Sequence, residues 1–160
     1  MINIRRFILC SLFLCSAAVL SACGDASSII DYEVIGKTES GDSGAFASSI
    51  QQITDEEMLR MAVEQTGADI DRDAVDFDSE HLFQVSLIEN GCGYLLEDLV
   101  NEDGTLRFMF ELTPVVESGE DPEDVTCAEV AVPTTAFIKT EDVDFNSLEI
   151  YGSGEKIETE

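Results

Sequence analysis

Apolar and polar positions alternate in three different ways along the chain. From Phe7 to Leu20 the residues are apolar with only Ser11 and Ser16 interrupting. Between residues 54 and 67 the apolar positions recur every three or four residues. Met58, Leu59, Ala62 and Val63 share one face, Thr54 and Glu57 form a capping box, Asp55 and Glu56 suit the positive end of a helix dipole, and Gly67 is a stop signal. This spacing predicts a helix. From Leu82 onward the period becomes two. Phe83, Val85 and Leu87 alternate with Gln84 and Ser86, which predicts a half-buried strand ending at an Asn90-Gly91 turn.

The same reading predicts a strand over 94–100, a four-residue turn Asn101-Glu102-Asp103-Gly104, and a strand over 105–112. In that last strand Leu106, Phe108 and Phe110 face one way and Arg107, Met109 and Glu111 the other. An acidic loop over 117–124 precedes a strand over 127–132, whose regular pairing Pro133 should interrupt. Shorter strands are expected at 31–35, at Phe137-Ile138 and over 148–151, with a loop over 37–44 and a frayed tail from Gly152. No internal repeat of fixed period appears. The expected fold class is α+β: one N-terminal helix followed by a mainly antiparallel β-sheet or small sandwich.

The first apolar run is a targeting segment, not part of that fold. Arg5 and Arg6 give it a positive start, and the run is shorter than the roughly 20 residues of a membrane span. Its end, Leu20-Ser21-Ala22-Cys23, resembles the bacterial lipoprotein lipobox. The resemblance implies diacylglyceryl transfer to the Cys23 thiol and cleavage just before it. The chain then divides into a signal peptide (1–22), a tether and N-terminal segment (23–50), a β-rich globular domain (51–151) and an acidic tail (152–160). Localisation is expected at the cell envelope, on the outer membrane or its periplasmic face, with palmitate among the attached acyl groups.

Composition narrows the partners. Of the 160 residues, 8 are Lys or Arg and 34 are Asp or Glu, a formal charge of −26. A surface of this sign repels phosphate backbones, so nucleic acid is excluded as a partner. Loss of Arg5 and Arg6 with the signal leaves six basic residues and a charge of −28. Such a chain should hang from acyl chains instead of lying on anionic head groups. The acidity serves either solubility in high salt or a cationic partner; composition does not separate these.

Five cysteines are present. Cys10 and Cys15 leave with the signal and Cys23 takes lipid, so Cys92 and Cys127 remain to form a disulfide bond in an oxidising compartment. They lie 35 positions apart, which is not the C-x-x-C spacing of a redox-active dithiol.

Catalytic chemistry has little to work with. His81 is the single histidine, with no nucleophile motif beside it, and it reads as a pairing or solvated side chain. No phosphate-cradling Gly-rich loop occurs, and zinc has no ligand set. No cofactor is expected. One acidic cluster has specific spacing: Asp69, Asp71, Asp73 and Glu80 occupy positions 1, 3, 5 and 12 of a calcium loop. Ala74 stands where that loop wants Gly, Asp76 where it wants an apolar residue, and a strand follows in place of a second helix.

A helix opened by Ile53-Thr54-Asp55-Glu56-Glu57-Met58-Leu59, the strand from Phe83, the turn Gly91-Cys92-Gly93-Tyr94 and the segment Thr126-Cys127-Ala128-Glu129-Val130-Ala131-Val132-Pro133 are similar to the layout of PrcB C-terminal-like domains. The likeness spans about residues 50–140, and Gly91-Cys92 departs from the family's threonine-glycine. It implies a small β-rich binding domain without catalytic residues. The expected function is therefore a membrane-anchored, non-catalytic lipoprotein that binds or braces an envelope protein. The alternative is a calcium- or cation-responsive domain built on the Asp69–Glu80 loop.

Overall fold

The computed structural model describes residues 27–39, 47–112, 128 and 130–159. Nine strands and one α-helix follow one another as β1 (Ser27–Ile29), β2 (Tyr32–Glu39), β3 (Ser49–Ile53), α1 (Glu56–Thr66), β4 (Glu80–Glu89), β5 (Tyr94–Glu102), β6 (Thr105–Leu112), β7 (Val132–Glu141), β8 (Ser147–Gly152) and β9 (Glu155–Ile157). A single 3-10 turn at Arg72–Ala74 lies between α1 and β4. The strands form two sheets, ordered β1-β5-β6-β8-β9 and β2-β7-β4-β3. All pairings are antiparallel except β6 with β8.

The main core lies between the two sheets. Phe83, Val85 and Leu87 from β4 and Ile138 from β7 meet Leu99, Leu106, Phe108 and Ile150 from the other sheet. The Phe83 and Phe108 rings pack edge to face at 5.2 Å across the interface. A second core covers the opposite face of the four-stranded sheet. There Leu82 and Phe137 receive Leu59 and Ala62 from α1, together with Ala68, Ile70 and Val75 from the segment after the helix. The period-two pattern of β4 is therefore only half of its burial: Leu82 faces the helix and Phe83 the other sheet, so both faces are apolar where α1 lies.

The chain crosses from one sheet to the other at Ile30, whose N–H still donates to Leu99 O of β5 before β2 joins β7. Tyr32 ties the sheets at that corner. Its hydroxyl donates to Leu96 O at 2.6 Å and also to Glu97 O, where β5 shifts register between Leu96 and Asp98.

Several expectations need correction. The helix is not N-terminal, because β1, β2 and β3 precede it. Nor does the β-rich unit begin at residue 51 and end at 151. β1 and β2 pair with β5 and β7, and the tail folds back through Ser153-Gly154 so that β9 pairs with β8. The N-cap is Asp55, not Thr54: its carboxylate accepts from Met58 N–H, while the Thr54 hydroxyl contacts the Met58 sulfur. Gly67 does end the helix, in the left-handed region with φ +70°. The expected four-residue turn shrinks to Asp103-Gly104. Both residues have positive φ, as a type I′ hairpin turn requires.

Pro133 does not interrupt pairing. It sits inside β7 opposite Ile88, and β2 is last paired at Glu39–Thr134. At Pro133 β7 pairs with β4 alone among the described strands, the one-sided setting in which a sheet tolerates proline. The acidic loop expected at 117–124 lies outside the described residues, as do Cys127 and Glu129. The strand expected over 127–132 is not formed at Ala128, Val130 or Ala131, and β7 begins only at Val132, where pairing with Glu89 of β4 starts.

Candidate functional site

The acidic loop is fastened by apolar residues and one lysine. Ala68, Ile70 and Val75 are buried, whereas Asp69, Asp71 and Asp73 point to solvent. Asp71 spends its carboxylate on the N–H of Asp73, capping the 3-10 turn. Glu80 accepts from the N–H of Asp76 at 2.8 Å and pairs with Lys139 Nζ at 3.1 Å. Those two donors, the backbone N–H first, hold its carboxyl below the ordinary carboxylate range. Lys139 also donates to Ala74 O and pairs with Glu33, so one ammonium joins β2, β4, β7 and the 3-10 turn. Glu80 is the strongest carboxylate partner of that ammonium, whose pKa is raised. The four residues at calcium-loop spacing are therefore not brought together. Among the described residues no three His, Cys, Asp or Glu side chains are grouped to hold a metal.

His81 is a bracing residue. Gln52 Nε2 donates to its Nδ1 at 3.1 Å, which leaves the proton on Nε2 to be donated to Val143 O at 3.2 Å and Asp142 Oδ1 at 3.0 Å. Its ring also packs edge-on against Phe145. The contacts join β3, β4 and the β7–β8 loop, and every ring nitrogen is engaged.

The outer face of the five-stranded sheet carries the polar network that sequence reading missed. Arg107 of β6 pairs with Glu102 and, at 3.2 Å, with Glu149, and it lies 5.8 Å over the Tyr151 ring. Glu149 takes a second cation, Lys156 of β9, at 2.7 Å, and accepts from the Tyr151 hydroxyl. Lys156 foremost, then Tyr151 and Arg107, lower the Glu149 carboxyl. Beside this network is a shallow hollow of about 340 Å³ with Val100, Met109 and Tyr151 among its lining residues and Glu97 and Asp98 alongside. A partial sequence signal was present: Arg107 stands between Leu106 and Phe108 and Glu149 between Leu148 and Ile150, whereas Lys156 follows Glu155 in a tail with no alternation. Only the parallel β6–β8 register, Arg107 opposite Glu149, brings them together.

At the opposite end of the strands, Cys92 is disulfide-bonded. Cys127, assigned above as its partner, lies outside the described residues, as does Cys23. The Cys92 loop is held locally: Asn90 Oδ1 accepts from Cys92 N–H, and Gly91 N–H donates to Ala128 O at 3.0 Å. A Cβ at Gly91 would come within 2.8 Å of the Ala128 Cβ, so the two segments touch. Next to this loop Glu89, almost fully buried, pairs with Lys37 at 2.9 Å. Lys37 also donates to Tyr94 O, linking β2 to the start of β5.

No family model, no curated protein and no solved structure matches this chain.

Proposed function

We propose that this chain is a non-catalytic bacterial lipoprotein, anchored to the cell envelope through acylated Cys23, whose β domain binds or braces another envelope protein. The observation that carries this reading is the order of the first 23 residues: Arg5-Arg6, an apolar run, then Leu20-Ser21-Ala22-Cys23. The disulfide at Cys92 supports it, because such bonds persist in oxidising compartments. Cys127 is the proposed partner of Cys92. A PrcB C-terminal-like affiliation of residues 50–140 belongs to the same proposal.

The fold adds a geometric consequence. Three residues separate Cys23 from Ser27, where β1 begins, so a fully extended tether reaches about 14 Å. Ser27 pairs with Glu102 beside the β5–β6 turn. That turn, with Asp103 at its tip, becomes the membrane-facing end of the domain.

Cells grown with labelled palmitate test the anchor. The wild-type chain should take up label and partition into detergent, and Cys23→Ala should do neither. Unchanged membrane association of the variant overturns the anchor.

A further inference from the structure

We propose that the outer edge of β3 is a docking site for an extended segment of a cationic protein, which joins the four-stranded sheet as a fifth strand. The inference rests on reading the chain as a binding module and names the surface and the partner's charge.

Exposed sheet edges invite added strands, and natural proteins block them with charge, shortness or bulges. Among the described residues the two sheets have four edges. β1 and β9 are three residues each, and β9 carries Glu155 and Lys156. β2 carries Glu33, Lys37 and Glu39 and shifts register between Val34 and Gly36. β3 has none of these protections. Its sequence is Ser49-Ile50-Gln51-Gln52-Ile53, without charge, Gly or Pro, and its pairing with β4 is unbroken over all five residues. Charged residues make up 26% of the chain, yet residues 47–54 contain none. Alternate residues of such a strand turn their N–H and C=O away from β4, and among the described residues no strand pairs with that side.

The surroundings select the partner's charge. Immediately beyond Ile53 lies a hollow of about 400 Å³ bordered by Asp55, Glu56, Asp76 and Asp78, with Val75 and Phe77 among its apolar lining, so the charged side chains that line it among the described residues are all acidic. A Lys or Arg flanking the added strand can lay its aliphatic stem on the apolar lining and its charge among the carboxylates. A second copy of this chain, itself at −26, would instead bring like charge to the same place.

The test uses the full-length chain in detergent and two short peptides of alternating Thr and Val, one ended by Lys and one by Glu. The Lys peptide should slow hydrogen exchange at alternate β3 amides about tenfold or more, and the Glu peptide should not. Gln51 is exposed, so Gln51→Lys should leave the melting temperature nearly unchanged while abolishing the protection, and Gln51→Thr should retain it. Equal protection by both peptides overturns the cationic partner. Protection confined to other strands, or none at all, overturns the edge. Self-association that Gln51→Lys removes makes a second copy the occupant and overturns the proposal as well. None of these outcomes depends on lipidation, so a failed anchor and a failed docking edge are told apart. Envelope proteins cross-linked in cells to wild type and Gln51→Lys alike would leave the binding-module reading standing without this edge.

Discussion

Single contacts decide how the loop after the helix is held. A Cβ at Gly36 would lie 2.7 Å from Ile70 Cγ1, and Ile70 is buried in the cluster that contains Leu59 and Ala62 of α1. Gly36→Ala should therefore cost about 1–3 kcal/mol in urea unfolding. Most of that cost should vanish in an Ile70→Ala background, because the two atoms that collide are then not both present. The carboxylates act differently. Glu149 is held below its ordinary pKa by Lys156, Tyr151 and Arg107. A depressed carboxylate stabilises the fold above its unfolded pKa and loses that contribution as pH falls through the folded value. Glu149→Gln should cost about 0.5–1 kcal/mol at pH 7, the range of partly exposed pairs, and nothing measurable near pH 2. A cost that persisted at pH 2 would mean that packing, not charge, is what Glu149 supplies.

At the scale of elements, the helix terminus gives the sharpest check. Because Asp55 caps α1, Asp55→Ala should lower stability by about 1 kcal/mol, whereas Thr54→Ala should have little effect. Denaturant titrations of the two variants separate the caps. Sequence reading placed the helix correctly from Leu59 and Ala62 and missed its cap by one residue, since Thr54 and Asp55 are both good caps and only backbone geometry chooses. β6 was legible in full because one face is buried and the other solvated. β7 was not. Its residues from Pro133 to Ile138 are all buried, so no alternation marks it, and the proline that argued against a strand sits where β2 has already ended. The Arg107–Glu149 pair was invisible for another reason: parallel pairing of β6 with β8 is long-range, and nothing local announces its register.

Over the whole molecule, charge and covalent linkage set the conditions for stability. With 34 acidic against 8 basic residues, repulsion extends over roughly 30 Å at 0.01 M salt and about 8 Å at 0.15 M. Folding concentrates these charges, so monovalent salt should raise the melting temperature. Calcium should add no more than its ionic strength explains, because Glu80 is already engaged by Lys139 and Asp76 N–H. A large gain at micromolar calcium, lost in Asp71→Ala, would reverse that expectation. Reduction of the Cys92 disulfide should cost about 2–5 kcal/mol, read as a lower denaturation midpoint under reductant. The order in which the chain visits its sheets has a kinetic consequence. It starts in one sheet with β1, builds most of the other with β2, β3 and β4, returns for β5 and β6, leaves again for β7 and comes back for β8. The central strand β7 inserts between β2 and β4, both far earlier in the sequence, and β8 pairs with β6 across the excursion that β7 makes to the other sheet. Neither sheet can be completed from a contiguous stretch of chain. Contact order is consequently high, refolding belongs in the millisecond-to-second range of all-β domains, and a chain cut between β6 and β7 should yield two fragments that are unfolded apart and fold only when mixed.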